Sequence, residues 1–148
     1  YRLLGQVERR YGRFIVLDLH SYNHMRNGPD ATPAATEENP EINIGTGSMD
    51  RSCWSDVVDG FMEALRAGGR DVRENIRFRG GYLSRFVHER FPDSGCAIAI
   101  ECKKTFMDEW TGRVDVFGLD AIRRDLGRGC QAVLAALGGI DSRPPRTA

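Results

Sequence analysis

Arg13-Phe14-Ile15-Val16-Leu17-Asp18-Leu19-His20 is the stretch on which the fold turns. It follows Gly12, which stops a helix over residues 2–11 carrying Leu3, Leu4, Val7 and Tyr11 at helical spacing. An almost unbroken apolar run implies a strand covered on both faces, so this segment is predicted to be a central strand. It ends in polar residues, and in open α/β sheets ligands collect outside the carboxyl ends of strands. Asp18 and His20 are two apart, so both side chains share one face, and Ser21 follows at the turn.

Downstream, residues 26–41 hold three prolines among Ala, Thr and acidic residues without period, which predicts a surface loop. Ile42-Asn43-Ile44-Gly45-Thr46 reads as a short strand. Trp54, Val57, Val58, Phe61, Met62 and Leu65 form the stripe of an amphipathic helix that Gly68-Gly69 closes, and this stripe is read as core. A weak strand is expected over Asp71 to Ile76, then Arg79-Gly80-Gly81 and a helix from Tyr82 to about Arg90. Cys96-Ala97-Ile98-Ala99-Ile100 is a small-residue buried strand that ends in charge at Glu101, and Leu119, Ile122, Leu126, Val133, Leu134 and Leu137 mark a long closing helix. Strands alternating with helices make this an α/β layered sheet, one domain over residues 1–140, with residues 141–148, around Ser142-Arg143-Pro144-Pro145-Arg146, as a disordered tail.

The 148 residues suit one domain, and 21 Lys+Arg balance 21 Asp+Glu. With no net field to hold a polyanion, nucleic acid is set aside as a partner. No window approaches the roughly 18 uninterrupted apolar residues of a membrane span, and Tyr1-Arg2-Leu3-Leu4 opens no targeting peptide, so a cytoplasmic protein is expected. The spacing of Cys53, Cys96, Cys102 and Cys130 offers neither a disulfide framework nor a C-x-x-C pair, and buried reduced thiols are the expectation.

Four groups could carry chemistry. His20 is either satisfied by the backbone or serves as a metal ligand or general base, with Asp18 behind it. A His20/His24 metal pair would need a helix, whereas Asn23 and Gly28 point to a loop. Glu101 reaches the same sheet edge as His20, and there it either pairs with Lys103 or Lys104 or acts on a bound water. Burial would raise its proton affinity and suit it to general base work. Gly80-Gly81 would let backbone N–H groups approach an anionic or carbonyl ligand, and Arg85, one turn into the helix, could clamp a carboxylate. Phe106-Met107-Asp108-Glu109-Trp110-Thr111-Gly112 is read as a charged turn capping a helix.

Taken in series, Val16-Leu17-Asp18-Leu19-His20-Ser21, Asn43-Ile44-Gly45-Thr46, Asn75 with Gly80-Gly81-Tyr82, and Ile98-Ala99-Ile100-Glu101 with Met107-Asp108-Glu109 resemble the N-formylglutamate amidohydrolase family over residues 13–112. The resemblance implies a three-layer α/β/α fold with a central mixed sheet, similar to zinc carboxypeptidases and aspartoacylase. It implies zinc-dependent hydrolysis of an N-acyl amide on an amino acid, with His20 as a zinc ligand and Glu101 as the carboxylate that activates water. Asp18 and Ser21 would then support the site from behind, while Gly80, Gly81, Asn75 and Arg85 become candidates for the substrate, a small N-acyl amino acid. The family's other two zinc ligands, a His and an acid, lie upstream with an arginine. This chain has no such segment before His20, so it is expected to be the carboxyl-terminal part of a longer hydrolase, incomplete at its N-terminus, or a shortened relative.

Two further classes stand beside the hydrolase. One is a non-catalytic, truncated or decayed relative that binds a small carboxylate or a partner chain. The other is a Ser21-centred hydrolase using His20 or His88, disfavoured because there is no G-x-S-x-G elbow.

Overall fold

Residues 2–141 are described in a computed structural model, the side chains of 140 and 141 excepted. The tail expected beyond them lies outside the described residues. In chain order the elements are α1 (Arg2–Tyr11), β1 (Phe14–Tyr22), a 3-10 turn (Thr36–Glu38), β2 (Ile42–Gly45), α2 (Ser55–Ala67), β3 (Val72–Glu74), α3 (Tyr82–Arg90), β4 (Gly95–Lys103) and α4 (Val116–Asp141). The four strands form one sheet in the order β1-β4-β2-β3. β1 runs parallel to β4 and β2 parallel to β3, whereas β2 and β4 are antiparallel, so the sheet is mixed.

The expectation of a central β1 is corrected, for among the described strands it lies at an edge, and β4 and β2 occupy the middle. Its apolar run reflects helices on both faces rather than strands on both sides. Alternation along β4 shows how the faces differ. Cys96, Ile98, Ile100 and Cys102 face α2 and α4, and with Ile42, Ile44, Val57, Val58, Phe61, Leu65, Ile122 and Val133 they build the main core. On the other face Ala97 joins Phe14, Val87 and Phe91 in a smaller cluster that Leu4 and Val7 of α1 complete. Helices therefore cover both faces, giving three layers. The four cysteines are free: Cys96 and Cys102 are buried in β4, but Cys53 is exposed, contrary to the expectation of burial.

No helix among the described residues is long and apolar enough to cross a membrane.

Candidate active site at the carboxyl edge of β1 and β4

The strand register brings the two principal candidates together. His20 of β1 sits directly opposite Glu101 of β4, and Glu101 is in turn opposite Asn43 of β2. Asp18, two residues back and opposite Ala99, shares their face, which is that of α1 and α3. A single row of polar side chains therefore crosses the sheet where the apolar cluster beneath α1 and α3 ends.

Within this row His20 Nε2 lies 2.8 Å from Asp18 Oδ1. A carboxylate only accepts, so Nε2 carries the proton and Nδ1 keeps a lone pair for a ligand. The imidazole side chain is 55% exposed and the carboxylate 15%, which makes His20 the reachable member and Asp18 its brace. The Glu101 carboxyl is pushed above the usual range by burial, an effect that the nearby His20 opposes and the Asp18 charge reinforces. Beyond the row the face closes. Tyr22 donates to Pro40 O, and its pKa is pushed up to about 12, chiefly by burial. Lys103 Nζ donates to Asn39 O at 2.8 Å, so the pairing of Lys103 with Glu101 is not seen.

The glycine turn reaches the same place. Gly80 has φ 105, a left-handed value that favours glycine, and a Cβ built on it would lie 3.9 Å from the Cβ of Ala99, beside the row. A Cβ on Gly45 would meet Gly80 N at 2.5 Å, so glycine at the end of β2 is what allows this loop to pass. Asn43, fully buried, fastens the loop: its Oδ1 accepts from Arg77 N at 2.9 Å, and its Nδ2 donates to Phe78 O at 2.8 Å. Asn75 is used in the same way. It adopts φ 57, accepts from Thr46 N at 2.9 Å and donates to Thr46 Oγ1 at 2.8 Å, so its side chain is committed to holding the loop.

Other candidates stand apart. Ser21 alternates to the opposite face of β1 from His20 and is exposed, which removes it as His20's partner. His88 offers it no base either. Its Nε2 accepts from Ala97 N at 3.0 Å, which places the proton on Nδ1, 2.9 Å from Ser48 Oγ. Burial lowers the His88 pKa and keeps it neutral. Arg85 is exposed on α3, next to the buried Ser84.

His24 is bound elsewhere, since its Nδ1 lies 2.7 Å from Glu109 Oε1, and the backbone N–H groups of His24 and Met25 also donate to that carboxylate. The Glu109 side chain is only 2% exposed, and it ties the chain after β1 to the chain after β4 instead of capping a helix. Asp108 closes its own turn by accepting from Trp110 N and Thr111 N, and it is Asp115 that accepts from Phe117 N at the start of α4. Neither Asn43 nor Glu109 was legible as a positioning residue, because each acts on chain 35 and 85 positions away.

Among the described residues, no group of three His, Cys, Asp or Glu side chains is gathered as a metal would require. His20 alone offers a suitable imidazole in the row. A closed or catalytic zinc site needs at least three protein ligands, so the residues present do not complete one.

A carboxyl of raised proton affinity thus stands beside a carboxylate-braced imidazole at the carboxyl edge of an α/β sheet, a pairing suited to moving protons. The chain belongs to the N-formylglutamate amidohydrolase family, which it matches over residues 1–107. It is similar to the crystal structure of N-formylglutamate amidohydrolase from Ralstonia eutropha, with TM-score 0.66 and 19% identity over 90% of this chain and 46% of that one. It is also similar to a gene product of Agrobacterium tumefaciens, with TM-score 0.57 and 16% identity over 95% of this chain and 48% of that one. At such identities these structures share the fold. The chain spans about half the length of each. No curated protein matches it in sequence.

Proposed function

We propose that the row of Asp18, His20 and Glu101 serves the hydrolysis of an N-acyl amide on an amino acid, with N-formylglutamate as the model substrate. The observation that carries the reading is the register of His20 against Glu101, with Asp18 on the far nitrogen of the imidazole. Glu101, with its raised proton affinity, takes a proton from water as the oxygen attacks the formyl carbon. As the C–N bond breaks, Glu101 returns that proton to the leaving nitrogen, and formate and the free amino acid result. Asp18 fixes the imidazole so that Nδ1 faces away from the carboxylate. Asn43 and Asn75 hold the loop that carries Gly80 beside the row.

Zinc enters this proposal through His20 alone. Its remaining ligands would come from outside the described residues. A second reading, favoured because no three-ligand group is gathered among the described residues, is a non-catalytic carboxylate-binding domain.

Zinc content after dialysis and formate release from N-formylglutamate separate the two readings. The hydrolase reading expects formate release that is lost in Glu101→Gln, with any retained zinc lost in His20→Ala. Binding of the substrate without formate release would support the second reading and overturn the first.

A further inference from the structure

α3 begins without a side-chain cap. Its N-cap residue is Gly81, which has no side chain to bond the amides that follow, and the first turn contains no acidic residue. Most helices meet their free N–H groups with Ser, Thr, Asp or Asn at this position. Here the positive end of the helix dipole is left to something else. A Cβ placed on Gly81 would meet nothing within 4 Å, so the space over the amides is open.

An independent observation points to the same place. Ser84, in the first turn, is 1% exposed, and its buried hydroxyl has no hydrogen-bond partner. Helical side chains lean toward the N-terminus, and Ser84 does so, for its Oγ would be 3.2 Å from a Cβ on Gly80, just outside the helix. An orphaned buried hydroxyl is costly, and it sits under the uncapped amides. Gly80 in turn packs beside Ala99, two residues before Glu101 on the same face of β4. The exposed Arg79 and Arg85 flank the turn and add positive charge.

We propose that the N-terminus of α3, with the amides of its first turn and the Ser84 hydroxyl, is a subsite for a carboxylate of the substrate. This rests on the reading that the row of Asp18, His20 and Glu101 serves hydrolysis of the acyl amide, and it assigns the anchoring of the substrate's anionic end to backbone amides and Ser84. Arg85 contributes only long-range attraction.

The test is a titration of the whole chain followed by amide NMR, using N-formyl-L-glutamate, glutarate, the uncharged diamide of N-formyl-L-glutamate, and inorganic phosphate. The two carboxylates are expected to shift the amides of Gly81, Tyr82, Leu83 and Ser84 saturably, and the diamide is not. Ser84→Ala should weaken binding about tenfold. Gly81→Asp, whose own carboxylate would cap the helix, should abolish binding while raising the melting temperature, a pairing that a purely structural role does not produce.

Carboxylate binding with unshifted α3 amides, or undiminished by both substitutions, would overturn the proposal, as would the absence of any binding. Equal response to phosphate would reduce the site to a general anion trap and overturn the assignment to a carboxylate. Glutarate binding at α3 without any formate release would keep this inference while removing the hydrolase reading, and formate release with a silent α3 would do the reverse.

Discussion

The two faces of one strand show how this chain divides its work. Toward α2 and α4, β4 presents Cys96, Ile98, Ile100 and Cys102 to a dry core. Toward α1 and α3 it presents Ala97 and Ala99 and then Glu101 and Lys103, which meet hydrogen-bonding and charged groups. The first face is a matter of area removed from water, about 25 cal/mol per Å² of apolar surface. The second gives up that gain near the carboxyl edge and places ionisable groups where burial changes their proton affinity. Substitutions on the two faces should therefore separate stability from chemistry.

The largest effects should come from each face in its own currency. Phe61→Ala, in the middle of the α2 and α4 core, should cost about 3–5 kcal/mol in denaturant unfolding, from lost transfer energy and the cavity left behind. Glu101→Gln should instead cost no stability and lower formate release by roughly 10²–10⁴-fold, the usual contribution of a general acid–base group. A large stability loss in Glu101→Gln would erase the contrast between the faces.

Asn43→Leu sharpens the comparison, because it puts an apolar residue of similar size on the polar face. The N–H of Arg77 and the carbonyl of Phe78 would lose their partner, so a loss of about 1–3 kcal/mol is expected in place of a gain. Equal or higher stability would show that the loop 75–80 does not depend on this anchor.

The smallest effect concerns pH. A carboxyl whose pKa is raised on folding binds its proton more tightly in the folded state, so its contribution is fully present below the unfolded pKa and is lost as pH rises through the folded one. Wild type should lose stability relative to Glu101→Gln as the pH climbs from below the ordinary carboxyl range toward neutrality, and melting curves of the two across that range check it.

Much of the fold was legible because it follows local periodicity. The helix expected from Tyr82 to about Arg90 is α3, and the stripe from Trp54 to Leu65 lies in the core as read. The ends of strands were less legible. β4 continues to Lys103 because its ammonium finds Asn39 O, and β1 continues to Tyr22, whose ring is buried, so charge and polarity hid the last residues of both. Strand order was not legible at all, since the insertion of β4 between β1 and β2 joins residues far apart in the chain. In the site, His20 and Glu101 could be placed on one edge from the sequence, but their direct pairing depends on register. Asn75 and Asn43 hold the backbone of the loop, a role set by tertiary contact.

The measurement that bears most directly on the site is the pH dependence of formate release from N-formyl-L-glutamate, with Glu101→Gln beside the wild type. A rate that rises with pH through an apparent pKa above the ordinary carboxyl range is expected, and it is lost in the variant although the variant is no less stable than wild type. No release by the wild type, or the same profile in Glu101→Gln, would contradict it.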